Sequence, residues 1–151
     1  LNIKLKLVGD FESLPTDVKT SVNESIIQTR DNTGMQLNVA LNYGSRWEIL
    51  EAVKTIAQKC KDGLADIKDI DVSFFSQHLL TKEIPDPDLL IRTSGEYRIS
   101  NFLLWQISYS ELYFSEILWP DFKGEQLVDA IIEYQNRERR YGKTSNQIII
   151  K

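Results

Sequence analysis

The most informative segment of the sequence runs from Asp88 to Phe122 and reads DLLIRTSGEYRISNFLLWQISYSELYFSEILWPDF. It opens with a short, mostly apolar segment, Asp88–Arg92, which is typical of a buried strand in a parallel sheet. A loop rich in arginine, hydroxyl side chains and glycine follows, and Leu112–Phe114 predicts another strand. Ligands of open α/β sheets bind beyond the carboxyl ends of the strands. The loop at 92–100 is therefore the first candidate for a binding site.

Strands and helices alternate through the rest of the chain. Apolar and polar residues alternate with period two in Ile3–Leu7 and Met35–Leu41, which predicts two strands. Helical periodicity predicts a helix from about Pro15, a second from Ser45, and a last one over Glu125–Arg140. This order favours right-handed βαβ units. The predicted fold class is α/β, with a mostly parallel central sheet flanked by helices.

The second helix carries two local predictions. Ser45 and Glu48 have the spacing of a capping box, in which the serine caps the helix and the glutamate bonds back. Cys60 continues the apolar stripe of Val53 and Ile56, which indicates a small core residue rather than a reactive thiol.

Composition excludes several classes of function. The 151 residues are 42% apolar and 26% charged, as in a soluble globular domain, and the formal net charge of −4 argues against a nucleic-acid surface. No apolar run approaches the roughly 18–20 residues that span a bilayer. A single cysteine, Cys60, excludes an internal disulfide and suits a reducing cytoplasm. His78 has no cysteine or histidine companion for a zinc site.

The loop at 92–100 has the chemistry of an anion site. The guanidinium groups of Arg92 and Arg98 match phosphate oxygens in a bidentate way, while Gly95 permits a tight turn and hydroxyls such as Ser100 complete an oxygen cage. This arrangement suits a diphosphate. A solvated loop whose arginines pair with Glu96 is the alternative, and chemistry alone leaves both open.

The order and spacing of several short elements resemble the cis-prenyltransferase signature. Upstream, Asn42–Arg46 is similar to the NYGGR element of that family, and Arg137–Gly142 is similar to its RxG end. Bacterial undecaprenyl diphosphate synthases are the most similar subgroup. The signature elements are Arg92–Glu96, Arg98–Phe102, Tyr109–Phe114 and Trp119–Phe122.

The resemblance implies an enzyme of isoprenoid biosynthesis with an α/β fold, distinct from the all-α trans-prenyltransferases. Such an enzyme condenses isopentenyl diphosphate with an allylic diphosphate, such as farnesyl diphosphate. The product is a long cis-polyprenyl diphosphate such as undecaprenyl diphosphate, the lipid carrier of peptidoglycan precursors. The resemblance also implies a Mg²⁺-dependent cytoplasmic homodimer. Its membrane contact would be peripheral, through the lipid product, at the inner face.

The same resemblance assigns residues to the first substrate. Arg92, Arg98 and Ser100 would bind the diphosphate of isopentenyl diphosphate. Arg140 and Gly142, from the partner subunit's C-terminal end, would close over that diphosphate.

The resemblance also assigns roles to residues outside the loop at 92–100. Glu111 would help hold Mg²⁺ in the site of the neighbouring subunit or close to it. Asn42 and Arg46 are secondary candidates for the substrate site. Leu37 and Val39 are candidates to line an apolar tunnel for the growing chain, although any buried strand would show the same pattern.

One family element has no counterpart in this chain. The DGNGRWA-type loop, which binds the allylic diphosphate and carries the essential aspartate, matches no stretch, so the catalytic residue stays unknown. We expect residues 1–142 to be the C-terminal portion of a single cis-prenyltransferase domain, followed by a tail at 143–151. Tyr97 replaces a histidine of many bacterial members, and Ser45 replaces the second glycine of NYGGR. Both are interpreted as tolerated variation.

Two other classes of function match parts of the sequence. A non-catalytic accessory subunit of a prenyltransferase dimer stays open, although such partners typically have a degenerate diphosphate motif. An unrelated phosphate-binding α/β domain, such as a phosphatase, would need a reactive nucleophile. Cys60 on an apolar helix stripe is unsuitable for that role.

Overall fold

The computed structural model describes residues 1–139 and divides them into two compact units, Leu1–Pro85 and a second unit that begins at Asp86. The predicted α/β class is confirmed. The last helix, predicted to reach Arg140, ends at Gln135 instead. The elements in chain order are β1 Ile3–Val8, α1 Thr16–Thr29, β2 Met35–Ala40, α2 Ser45–Lys61, α3 Val72–Ser76, β3 Leu89–Arg92, β4 Glu111–Phe114 and α4 Gly124–Gln135, with 3₁₀ turns at Ile67–Asp69 and Trp119–Asp121.

In the first unit, β1 and β2 form a parallel pair in which Ile3 lies opposite Met35 and Val8 opposite Ala40. The two strands end close together. Gly9 has φ +143°, and a Cβ atom there would lie 2.0 Å from the carbonyl oxygen of Leu41. Only glycine fits this close approach of the two backbones. Because the two strands are parallel and approach closely here, the turns that follow β1 and β2 lie at the same edge of the sheet.

The other edge of β1 is occupied by side chains. The backbone N–H of Leu5 donates to Thr29 Oγ1 at 3.1 Å, and Asn32 Nδ2 donates to the carbonyl oxygen of Ile3 at 2.7 Å. Both partners lie at or just beyond the C-terminal end of α1, which packs on β1. The backbone groups of β1 that face away from β2 are therefore partly satisfied without another strand.

Helix α2 begins at Ser45 as predicted, but the predicted capping box is wrong. The N-cap residue is Gly44, without a side-chain cap hydrogen bond, and Ser45 is the first helical residue. Glu48 is only 2% exposed, and its carboxylate accepts from Tyr43 Oη at 2.6 Å and from the N–H of Leu80 at 2.9 Å. The glutamate connects the turn after β2 to the segment after α3.

In the second unit, β3 and β4 form another parallel pair, with Leu89 opposite Glu111 and Arg92 opposite Phe114. Both predicted strands are confirmed. Their residues are half-buried rather than buried, since this pair is not enclosed by further strands among the described residues. Within residues 1–139, each of the two units thus contains one parallel pair of strands.

Few apolar side chains are fully buried. The buried apolar residues among those described are Val8, Ala52, Ile56, Leu79, Ile107 and Ala130. Cys60, predicted to be a core residue, is only partly buried. None of the helices at residues 1–139 has the length and apolar character needed to cross a membrane.

Candidate functional site

The loop at 92–100 is held by the segment that continues β4. The N–H of Ser94 donates to the carbonyl oxygen of Ile117, and the N–H of Gly95 donates to that of Ser115, each at 2.9 Å. Ser115 in turn donates its N–H to the carbonyl oxygen of Arg92 at 2.8 Å. These bonds extend the parallel pairing beyond the end of β3, so the loop starts from a fixed backbone.

Backbone strain is concentrated in and just after this loop. Ser94, Ser100, Asn101 and Leu103 all have left-handed conformations, with φ between 47° and 71°. A residue other than glycine in this region costs roughly 1–2 kcal/mol and persists only where the surroundings impose it. Such clusters are typical of ligand-binding segments.

The two predicted arginines have different surroundings. Arg98 forms an ion pair with Glu96, and its side chain is 64% exposed. Arg92 is half-buried at the end of β3 and makes no ion pair with any residue in 1–139. The pairing of arginine with Glu96, which is the alternative to an anion site, therefore occurs for Arg98 and not for Arg92. A salt bridge this exposed is weak, so a diphosphate could displace it.

Tyr97, interpreted from the sequence as tolerated variation, has specific contacts. Its hydroxyl donates to the Glu116 carboxylate, and its ring lies 5.3 Å from the Phe114 ring at an angle of 37°. The hydrogen bond to Glu116 raises the pKa of the Tyr97 phenol above its ordinary value. Nothing in the spacing of these residues indicates the pairing, because Glu116 lies 19 positions away.

Glu111, the predicted Mg²⁺ ligand, lies at the first position of β4 with its side chain 26% exposed. Its Oε2 accepts from Arg137 Nη1 at 3.2 Å, and the same nitrogen donates to the carbonyl oxygen of Leu112 at 2.8 Å. Arg137 Nη2 donates a hydrogen bond to the Glu133 carboxylate, and this bond is the main cause that raises the pKa of Arg137. Sequence reasoning missed Arg137 as the partner of Glu111.

The position of Glu111 separates it from Arg92. Because Glu111 lies opposite Leu89 and Arg92 opposite Phe114, the two residues are three positions apart along the parallel pair. That is about 10 Å at the usual rise per residue of a strand. Within one chain, the predicted metal ligand and Arg92 therefore lie at opposite ends of the strand pair.

The described residues do not form a complete metal site. No group of three or more histidine, cysteine, aspartate or glutamate side chains in 1–139 could hold a metal ion. Mg²⁺ is often bound by one or two carboxylates together with substrate phosphates and water. Glu111 fits such a site only as a single carboxylate that depends on the diphosphate for further ligands.

A second arginine near Arg137, Arg139, binds the residue that precedes β3. Arg139 Nη1 lies 2.5 Å from Asp88 Oδ1 and 3.0 Å from Tyr134 Oη. Asp88 precedes β3, and its carbonyl oxygen accepts from the N–H of Glu111 at 2.9 Å. The chain that follows α4 is thus bound to the amino ends of β3 and β4. The predicted substrate residues Arg140 and Gly142 lie outside the described residues.

The secondary candidates lie in the first unit. Asn42 has φ 50°, and its Nδ2 donates to the carbonyl oxygen of Asp10 at 3.2 Å, where β1 and β2 end together. Arg46 is exposed in the first turn of α2. A cavity of about 270 Å³ at this edge is lined by Asp10, Asn42, Tyr43, Gly44 and Trp47.

The two predicted tunnel residues are open to solvent in the described chain. Leu37 is 45% exposed and Val39 is 39% exposed on β2. Both residues lie on β2, which pairs only with β1 among the described strands. Their role in a tunnel stays a prediction.

Comparison with known proteins identifies the family. The prenyltransferase family model, described as undecaprenyl diphosphate synthase, matches residues 1–142. The chain belongs to this family. An isoprenyl transferase of Porphyromonas gingivalis is 52% identical over 150 residues, which cover 99% of this chain and 59% of that protein. A farnesyl-diphosphate-specific ditrans,polycis-undecaprenyl-diphosphate synthase of Pasteurella multocida is 49% identical, over 93% of this chain and 59% of that protein.

Solved structures agree with this membership of the undecaprenyl diphosphate synthase family. Lavandulyl diphosphate synthase from Lavandula x intermedia, in complex with dimethylallyl diphosphate, superposes with a TM-score of 0.91 at 40% identity, covering 93% of this chain and 61% of that one. A probable undecaprenyl diphosphate synthase from Campylobacter jejuni has a TM-score of 0.80 at 34% identity, over 94% and 64%. The chain thus spans about three-fifths of the length of these family members.

Proposed function

We propose that the protein to which this chain belongs catalyses cis-prenyl chain elongation. It condenses isopentenyl diphosphate with an allylic diphosphate such as farnesyl diphosphate, and repeated cycles produce a long polyprenyl diphosphate such as undecaprenyl diphosphate. In each cycle the C–O bond of the allylic substrate breaks and its diphosphate leaves, the double bond of isopentenyl diphosphate forms a C–C bond to the allylic carbon, and the isopentenyl unit loses a proton to form the new double bond.

One observation carries the proposal. A chain that matches the family model over 1–142 presents Arg92 and Arg98 in a strained loop at the carboxyl end of a parallel strand. This is the edge at which open α/β sheets bind ligands. Guanidinium groups there bind phosphate oxygens through charge-assisted hydrogen bonds. The names of the relatives, isoprenyl transferase and undecaprenyl-diphosphate synthase, favour the enzyme over a non-catalytic accessory subunit.

In this proposal Arg92, Arg98 and Ser100 bind the diphosphate of isopentenyl diphosphate. The exposed ion pair between Arg98 and Glu96 opens when the diphosphate arrives, because the substrate offers more negative charge than one carboxylate. Arg140 and Gly142 would complete this contact from the C-terminal end.

Mg²⁺ is the proposed cofactor, with Glu111 as its protein ligand. The ion would supply positive charge to diphosphate oxygens and so stabilise charge that develops as the bond breaks. The separation of Glu111 from Arg92 along the strand pair supports a homodimer in which one subunit contributes Glu111 to the neighbour's site. The lipid product would bring the enzyme, a cytoplasmic protein, into peripheral contact with the membrane, where that product would carry peptidoglycan precursors.

Substrate kinetics of the full-length protein test the diphosphate assignment. Arg92→Ala should raise the KM for isopentenyl diphosphate about 10- to 100-fold, since each charge-assisted bond contributes roughly 1.5–3 kcal/mol. Arg98→Ala should also raise the KM for isopentenyl diphosphate. Arg30→Ala is the matched control, because Arg30 is an exposed arginine that pairs with Asp31 in the first unit. An effect confined to the allylic substrate would overturn the assignment.

The metal assignment is tested separately. Glu111→Ala should weaken the response of the full-length enzyme to Mg²⁺, measured as the Mg²⁺ concentration at half-maximal rate. A Glu111→Ala enzyme with an unchanged Mg²⁺ response would show that the residue only anchors Arg137.

A further inference from the structure

Glu116, to which the proposed function assigns no role, lies against two residues of the loop at 92–100. Its carboxylate accepts from the Tyr97 hydroxyl. It also lies against Gly95, where an added Cβ would be 2.6 Å from Glu116 Oε2. On either side of Glu116 in the chain, the carbonyl oxygens of Ser115 and Ile117 bind the loop backbone. The loop is therefore held from one short segment, at its backbone and at a side chain.

The residue before Arg98 is fixed at two points. The ring of Tyr97 packs against the Phe114 ring, and its hydroxyl reaches Glu116. Phe114 lies opposite Arg92 in the register of β3 and β4. The positions of both arginines thus depend on β4. Arg92 pairs with β4 directly, and Arg98 follows Tyr97, whose ring packs against Phe114 of β4.

We propose that Glu116 is a positioning residue that, through Tyr97, holds the loop at 92–100 in the conformation that binds a diphosphate. This inference rests on the proposed function. Glu116 itself does not touch the substrate, since a carboxylate would repel the phosphate oxygens. The hydrogen bond from the Tyr97 hydroxyl keeps the Glu116 carboxylate directed toward Tyr97. Because Gly95 has no side chain, the Glu116 carboxylate has room beside the loop.

A preorganised loop lowers the cost of ordering on binding, so its loss should weaken binding rather than chemistry. The effect is limited because the hydrogen bond is exposed to water. We expect a rise of about 2- to 3-fold in the KM for isopentenyl diphosphate, at the lower end of what one net hydrogen bond supports.

The test uses the full-length enzyme with four variants, Tyr97→Phe, Glu116→Ala, Glu116→Gln and the double variant Tyr97→Phe/Glu116→Ala. Each single loss should raise the KM for isopentenyl diphosphate and change kcat less than about 2-fold. The double variant should be no worse than the stronger single variant, because both remove the same contact. Glu116→Gln keeps an acceptor of the same size and should retain most of the affinity. Glu125→Ala, an exposed glutamate in the first turn of α4, is the control.

The outcomes separate this inference from the proposed function. If Tyr97→Phe and Glu116→Ala bind isopentenyl diphosphate like the wild type while Arg92→Ala does not, the positioning role is wrong and the proposed function stands. Additive effects of the two single variants would also overturn it, since they would show independent roles. If the wild-type protein shows no use of isopentenyl diphosphate, the proposed function fails and this inference fails with it.

Discussion

Two turns of this chain are built on the same contact but in different surroundings. Each follows the carboxyl end of a parallel strand, each has a non-glycine residue with positive φ, and each directs a tyrosine hydroxyl to a glutamate. After β2 the pair is Tyr43 with Glu48, and Glu48 is only 2% exposed. After β3 the pair is Tyr97 with Glu116, and Tyr97 is 66% exposed.

Burial separates the consequences of the two pairs. Glu48 is shielded from water, and its carboxylate accepts hydrogen bonds from the Tyr43 hydroxyl and the Leu80 N–H. In the other pair water competes for both partners, so the bond contributes little to the free energy of unfolding. We infer that the first pair stabilises the fold, and that the second acts on the geometry of the binding loop.

The largest effect is expected for the buried acid. Glu48→Ala should lower the free energy of unfolding by about 2–4 kcal/mol, because it leaves the Tyr43 hydroxyl and the Leu80 N–H without their acceptor. Urea unfolding of the full-length protein measures it. Glu51→Ala on the same helix, whose glutamate forms an exposed pair with Lys54, should cost less than about 0.5 kcal/mol. A loss below about 1 kcal/mol for Glu48→Ala would show that burial does not make the Tyr43–Glu48 pair more important for stability than the Tyr97–Glu116 pair.

The next effect concerns the space beside the exposed acid. Gly95→Ala should lower the free energy of unfolding by about 1–2 kcal/mol because φ at Gly95 is +66°, and by slightly more than Gly63→Ala because the new Cβ would displace the end of the Glu116 side chain. Gly63→Ala is the matched control, because Gly63 has φ +69° with nothing within 4 Å. Equal losses in the two variants would mean that contact with Glu116 adds nothing to the backbone term.

The two tyrosines compare the pairs directly. Tyr43→Phe should cost about 1 kcal/mol, because the buried Glu48 carboxylate loses a donor. Tyr97→Phe should cost less than about 0.5 kcal/mol, because its bond is open to water. Both are measured by urea unfolding under one set of conditions. The reverse order would show that burial does not decide the contribution of these bonds.

The smallest effect is a titration. Because the hydrogen bond to Glu116 raises the pKa of Tyr97, the folded protein keeps this proton where the unfolded chain begins to lose it. The resulting stabilisation is present below the ordinary tyrosine pKa of about 10 and is lost as pH rises through the folded value. The difference in phenolate absorbance between the wild type and Tyr97→Phe isolates this group. In Glu116→Gln the Tyr97 titration should move toward lower pH; an unmoved titration would contradict the pairing.

Local patterns predicted the elements well and the long-range contacts poorly. Period-two alternation correctly placed β1 and β2, and the apolar segments placed β3 and β4. The start of α2 at Ser45 was also correct, but the capping box was not, because Tyr43 and the distant Leu80 bind the Glu48 carboxylate. Residue spacing reports neighbours within a helix or strand, and it contains no information about partners 32 positions away.

The candidate site shows the same division. The arginines and hydroxyls of 92–100 were found from their chemistry and from the family resemblance, because they lie together in the sequence. Arg137 and Arg139 were not assigned to Glu111 and Asp88, which precede them by 26 and 51 positions. The sequence alone indicates that Tyr97 is tolerated variation, because its partner Glu116 lies beyond the next strand. Each of these pairings exists only because β3 and β4 bring distant segments together.

The side chains along the outer edge of β1 have a consequence for self-association. An exposed strand edge is a template on which another molecule can add a strand and begin to aggregate. Thr29 and Asn32 already use the N–H of Leu5 and the carbonyl oxygen of Ile3, so an incoming strand would have to displace them first. Within the described residues, those at the end of helix α1 therefore also protect this edge of β1 against the addition of another strand.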